Sequence, residues 1–222
     1  MTTERPYDAG RAAVHEQRID GFGTVRLLRL DPVADAGTVH GWVREERAVF
    51  WGMNGLTEEQ VGEVYAHLDT LDTHHAFLAV KDGEPVGLLQ TYEPEADRVS
   101  ECYAVEPGDL GIHVLLAPPG ATAAPTAGAG GRRPVRPGWS GALLSVFTTY
   151  AFTVLGRTRI VVDPDERNER ALARFTAEGF VLGPPVTLPE IELPDVHLPE
   201  KRARLGFLRA PAGEGPTAGT AR

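Results

Sequence analysis

The stretch Gly111-Ile112-His113-Val114-Leu115-Leu116-Ala117-Pro118-Pro119 is followed by a long loop, a helix and a second strand. No other feature of the chain constrains its fold as much. Ile112, Val114 and Leu116 share one side of a strand and His113 and Leu115 the other, because side-chain direction flips at every residue. The prolines end the strand, having no N–H to give a ladder. A helix over residues 139–155 turns Leu143, Leu144, Phe147, Tyr150, Ala151 and Val154 inward, and residues 158–162 form the next strand. Strand, crossover helix and strand make a βαβ unit. The loop entering such a helix is an anion site, because the first amides lack partners and the helix dipole favours negative charge. An imidazole within the first strand has two readings, a core histidine bonded to a neighbour or a catalytic base.

Around this unit the spacing predicts a mixed α+β domain. Residues 1–22 are polar and weakly patterned, which predicts a loosely ordered extension. Residues 24–30 read as a strand and 32–47 as a helix, followed by an aromatic loop at Phe50-Trp51-Gly52. A second helix over 57–72 is introduced by a Thr57/Gln60 capping box. Residues 74–80 and 85–92 flank an Asp82-Gly83 turn and read as an antiparallel hairpin. A short strand is predicted at 99–105. Asn168 is placed to cap a further helix that stops at Gly179. Late strands are predicted near 180–182 and 202–209. Residues 23–209 form the expected domain, with an Ala/Gly/Pro-rich flexible loop at 118–134 and a disordered tail at 210–222.

Charge and composition narrow the function. A chain of 222 residues with a formal charge of -9 is a poor general nucleic-acid binder. Cys102 is the lone cysteine, so no disulfide framework or cysteine-based metal cluster is expected. His74 and His75 are adjacent and point apart, which makes them a poor metal pair. No apolar run approaches membrane-spanning length and no signal-peptide core opens the chain, so a cytoplasmic protein is expected.

Four segments carry a family resemblance: FWGM at 50–53, HHAFLAVKDGEPVGLLQTYEPEAD at 74–97, GDLGIHVLLAPP at 108–119 and VVDPDERNERALARFTAEGF at 161–180. LPEKRARLGFL at 198–208 supports them. In this order they resemble the GNAT acyltransferases, in particular the siderophore-biosynthesis branch. That branch includes mycobactin lysine N-acyltransferase, aerobactin-type hydroxylysine acetyltransferases and desferrioxamine hydroxycadaverine acyltransferases.

The resemblance implies a mixed, mostly antiparallel central sheet flanked by helices, with the fourth and fifth strands splayed around acyl-coenzyme A. It implies acetyl- or succinyl-CoA as co-substrate, no metal, a small-molecule amine or hydroxylamine acceptor, and a monomer or weak homodimer. It places His113 as general base with Asp165 beside it and Asp163 as the competitor for that role. Helix-end capping is the alternative for both aspartates. Val114, Leu115, Arg133, Arg136, Gly138, Trp139, Ser140, Arg167 and Asn168 would hold the coenzyme; of the usual Arg-Gly-x-Gly loop only Gly138 matches in place. Trp51, His74, His75, Gln90, Tyr92 and Asp163 would line the acceptor site. Many GNAT enzymes carry a tyrosine that protonates the leaving thiolate; here that position is Phe175. The alternatives are an aminoglycoside-type N-acetyltransferase, with Glu93, Glu95, Asp97 and Glu101 supplying an acidic cleft, and a non-catalytic acyl-CoA sensor.

Overall fold

The computed structural model describes residues 7–8, 10–118, 138–193 and 196–211. The loop expected at 118–134 lies outside these residues apart from Pro118, as does the tail from 212 onward. The described residues fall into two compact units, one within 1–90 and 114–146 and one within 91–113 and 147–222.

The first unit begins with a strand where a loose extension was expected. Strand β1 (Ala13–Ile19) pairs antiparallel with β2 (Gly23–Arg29), from Ala13↔Leu28 to Ile19↔Gly23. Its residues alternate between half-buried and exposed and none is fully buried, so the apolar alternation that marks a strand is faint here. Tyr7 and Arg11 anchor the segment that leads into β1. The Tyr7 hydroxyl donates to Asp35 Oδ1 at 2.5 Å, and the Arg11 guanidinium pairs with both oxygens of the same buried carboxylate.

Helix α1 (Ala36–Val43) is shorter than its pattern suggested and gives way to a 3-10 turn, Glu46–Trp51, that Gly52 ends in the left-handed region. Helix α2 (Glu58–Asp69) starts on the expected box: Thr57 Oγ1 accepts from Gln60 N–H, and Gln60 Oε1 accepts from Thr57 N–H. Both helices bury an apolar stripe, including Val39, Trp42, Val61 and Tyr65, against Leu28, Leu78, Val80, Leu88 and Leu115. Strands β3 (His74–Lys81) and β4 (Glu84–Tyr92) form the expected hairpin, with Asp82 and Gly83 at φ of 52° and 83° in its turn. The far half of β5 (Asp109–Leu116) joins this unit, where the Ala117 amide donates to Val86 O at 2.9 Å.

The second unit holds the near half of β5, the end of α3 (Trp139–Thr149), a π-helical turn at Tyr150–Val154, and strands β6 (Arg159–Val162), β7 (Val181–Leu188) and β10 (Lys201–Arg209). Helix α4 (Glu169–Ala177) lies between β6 and β7 in the chain. A small hairpin, β8 (Ile191–Leu193) with β9 (Val196–Leu198), has no counterpart in the sequence reading. The predicted strand at 99–105 is instead a 3-10 turn, Arg98–Cys102. Asp97 accepts from the Val99 amide at 2.8 Å, and the Ser100 hydroxyl donates to Asp97 O. These local bonds compete with a ladder and win.

β5 and β6 run parallel, and all four residues of β6 are buried, as a strand covered on both faces requires. Their register is fixed by Arg159, which grips both oxygens of Asp109 at 2.6 Å and reaches Glu106 at 2.7 Å. Its guanidinium lies over the Tyr103 and Phe207 rings, 5.6 and 5.1 Å from their centroids. The ladder between the two strands runs only from Asp109↔Arg159 to Gly111↔Val161, so His113 falls two residues past its last rung.

Candidate active site

β5 carries His113 beyond the paired part of the strand, and Asp163 follows directly after β6. Their side chains meet, with His113 Nε2 at 2.9 Å from Asp163 Oδ1. Asp163 is nearly fully buried, whereas 37% of the His113 side-chain surface is open. Lys201, the first residue of β10, donates to Asp163 Oδ2 at 2.8 Å. The buried Tyr92 hydroxyl donates to Oδ1 at 3.4 Å, and its ring lies 5.0 Å from the imidazole.

Burial alone would raise the Asp163 pKa, since it disfavours the charged form. The His113 and Lys201 charges and their hydrogen bonds outweigh it and hold the carboxyl well below its usual range. Tyr92 is displaced the other way, raised well above the usual phenol range by burial first and then by the Asp163 charge. Tyr92 therefore stays protonated at neutral pH and serves as a donor.

The low Asp163 value has a consequence for stability. A group whose folded pKa is depressed adds stability above its unfolded value, about 3.9, and loses it as pH falls through the folded value. Denaturant titrations of wild type and Asp163→Asn should therefore differ most at neutral pH and converge below about pH 4. A gap independent of pH would contradict the assignment.

Asp165 does not meet His113. It forms an isolated bridge with Ala203, and its carboxylate turns toward the start of α4. There it accepts from the Arg167 amide at 2.9 Å and from the Arg167 guanidinium at 2.9 and 2.8 Å. The physical reason is proximity in sequence: an aspartate two residues before a backbone amide closes a local turn at little entropic cost. Asn168 caps α4 by accepting from the Ala171 amide at 3.1 Å. Phe175 is buried against Phe180, with ring centroids 5.1 Å apart, and it brings no hydroxyl.

The remaining sequence candidates fall in the first unit. Gln90 Nε2 donates to the buried Tyr65 hydroxyl at 3.3 Å, and the Trp51 side chain bonds to the same group. Trp51 and Gln90 thus meet around Tyr65, which was not among the sequence candidates. His74 Nδ1 lies 2.9 Å from Thr73 Oγ1, and His75 packs on the Phe77 ring. Val114 and Leu115 extend β5, with Leu115 buried in the core.

Arg133 and Arg136 lie outside the described residues. Gly138, at φ +86° with open space around it, leads into α3, whose first turn has no acidic residue. Trp139 packs on Phe22 with the Lys81 ammonium over both rings, 5.4 Å from Phe22 and 5.9 Å from Trp139, and Ser140 follows it in the same turn. A helix start with open backbone and no carboxylate suits a phosphate-bearing coenzyme. Among the described residues no three His, Cys, Asp or Glu side chains form a metal-ligating group.

Lys201 was absent from the sequence candidates. It sits in the LPEKRARLGFL segment. No spacing rule ties a lysine there to an aspartate that far away in sequence, because the contact depends on how β10 folds back beside β6.

Comparison with known proteins agrees with this fold. The family model of the acetyltransferase (GNAT) domain matches residues 31–188. Over 90 residues, 39% of the chain, it is 33% identical to N(6)-hydroxylysine O-acetyltransferase of Escherichia coli, and it spans 27% of the length of that relative. An uncharacterized protein from Bacillus halodurans superposes with a TM-score of 0.66 at 21% identity, over 89% of this chain and 92% of that one. Aminoglycoside acetyltransferase AAC(6')-Ib in complex with coenzyme A gives 0.62 at 24% identity, over 83% and 94%. Spermidine N-acetyltransferase from Vibrio cholerae, in complex with CoA and spermine, gives 0.56 at 15%, over 83% and 95%. At such identities these structures share the fold. Since the family model spans most of the sequence, the chain belongs to the GNAT acetyltransferases.

Proposed function

We propose that the protein acylates a terminal amine or N-hydroxylamine of a small molecule of the lysine, hydroxylysine or hydroxycadaverine type, a step of hydroxamate siderophore assembly. The observation that carries this reading is the His113–Asp163 contact at 2.9 Å. With Nε2–H held by the carboxylate, the neutral ring carries its lone pair on Nδ1, which is the atom that accepts a proton.

The coenzyme supplies an acyl group as a thioester. The acceptor nitrogen attacks its carbonyl carbon, so an N–C bond forms and the C–S bond breaks, its electron pair leaving with sulfur. The proton shed by nitrogen passes to His113 Nδ1. Asp163 fixes the tautomer and stabilises the imidazolium. An alkylammonium acceptor, with a pKa of about 10.4, must first lose a proton at a cost of about 4–5 kcal/mol at pH 7. An N-hydroxylamine is far less basic and arrives mostly neutral. With Phe175 in place of a tyrosine, the thiolate regains its proton from the His113 imidazolium or from water.

The partial likeness to N(6)-hydroxylysine O-acetyltransferase supports a hydroxylysine-type acceptor. An acidic cleft of the aminoglycoside type has less to draw on, since Glu93 is paired with Arg157 and Asp97 caps a 3-10 turn. The test is thiol release from acetyl-, succinyl- and long-chain acyl-CoA in the presence of hydroxycadaverine, lysine, hydroxylysine or kanamycin. Turnover with a hydroxylamine or lysine-type acceptor is expected. Turnover with kanamycin alone would overturn the reading, and none with any pair would favour a sensor.

A further inference from the structure

Lys201 is 24% exposed, comes from a different strand than either His113 or Asp163, and spends its ammonium on Asp163. Such a cation beside the carboxylate is costly for a base: it offsets negative charge that would otherwise stabilise the imidazolium. We infer that Lys201 is a specificity-determining residue, neutralising the Asp163 charge beside the base so that the site selects an acceptor whose reacting nitrogen arrives uncharged. This rests on the reading of His113 as the base.

The charge inventory around the imidazole supports the inference. Asp163 (after β6) is balanced by Lys201 (on β10), and Tyr92 (on β4) stays protonated. Asp165 is balanced by Arg167. Asp97, whose charge also bears on Tyr92, accepts from the Val99 amide and keeps its negative charge, so the effect of Lys201 is confined to Asp163. Without Lys201 an unbalanced negative charge would stand at Asp163, close to where an acceptor nitrogen must approach His113. An alkylammonium would be drawn in and a stronger base would await it. With Lys201 that attraction is cancelled, and an N-hydroxylamine, needing neither attraction nor prior deprotonation, is favoured.

The test compares wild type with Lys201→Met and Lys201→Arg, using acetyl-CoA and either 1,5-diaminopentane or its N-hydroxy derivative. Lys201→Met should shift the kcat/KM ratio about tenfold toward the diamine, a Coulomb effect discounted for the exposure of His113. With the hydroxylamine, the acid limb of its pH profile should move up by about half a unit or more. Lys201→Arg should restore both. Calorimetric binding of the diamine, which needs no turnover, should tighten about tenfold in Lys201→Met. An unchanged ratio, acid limb and diamine affinity, with only a lowered kcat, would reduce Lys201 to a structural role and overturn the inference. A wild type that turns over neither acceptor would instead sink the proposed function, and the diamine affinity alone would then decide the charge argument.

Discussion

His113→Ala is expected to lower kcat/KM by about 10²–10⁴-fold with an N-hydroxylamine acceptor, the range that a positioned general base supplies. The two aspartates separate more sharply still. Asp163→Asn keeps the shape of the site, but its amide can present either an oxygen or an NH₂ to Nε2. It leaves the Lys201 charge without its partner and removes the group that stabilises the imidazolium. A loss of about 10²-fold or more is expected, with little change in KM for the acyl donor. Asp165→Asn should stay within about threefold of wild type. Its charge serves Arg167, which is 75% exposed, and such an open, solvent-screened ion pair contributes little. Steady-state kinetics on the three variants checks this, and comparable losses for both aspartates would refute the assignment of Asp163 as the partner of His113.

The second large effect is one of packing. A Cβ built on Gly111 would lie 2.1 Å from Tyr92 Cζ and 2.2 and 2.5 Å from its ring Cε atoms, because the buried ring crosses the β5 backbone at that point. Tyr92 cannot yield easily, since its hydroxyl is bonded to Asp163 and its ring lies against His113. Gly111→Ala should therefore cost about 3 kcal/mol, the upper part of the range for overpacked cores, and lower Tm by roughly 6–12 °C. It should also lower kcat by displacing Tyr92 from the His113–Asp163 pair. Gly41→Ala is the control: no heavy atom lies within 4 Å of its added Cβ, and as a residue inside α1 it should gain about 0.5–1 kcal/mol. Thermal unfolding of both variants gives the comparison, and a Gly111→Ala protein as stable as wild type would show that the ring can move aside.

Gly111 and Tyr92 also show how the site is built. Neither residue is unusual in its own strand, and a glycine two residues before the histidine could pass for a weak point in β5. Its meaning comes from a tyrosine on β4 whose ring needs the space. The Arg159–Asp109 pair works in the same way from the other end of the strand. It locks the start of β5 to the start of β6, so that the ladder ends at Gly111↔Val161 and His113 projects past it.

The sequence alone determined whatever depends on neighbours along the chain. The capping box at Thr57 and Gln60, the Asp82-Gly83 hairpin, the crossover helix starting at Trp139 and the Asn168 cap are all local, and each occurs where its pattern placed it. Local chemistry also misled in two places. Polar residues hid β1, because a half-buried strand carries little apolar alternation. The 99–105 run looked like a strand until Asp97 and Ser100 turned its backbone. The tertiary structure decided which aspartate meets His113. Asp163 and Asp165 stand two residues apart and have the same local propensities, but Arg167 lies within reach of only one of them through a short turn. Asp163 was left to find partners from three other strands, and His113, Tyr92 and Lys201 are separated from it by 50, 71 and 38 positions. Contacts over such separations depend on strand order and register, which are set by the packing of the whole sheet.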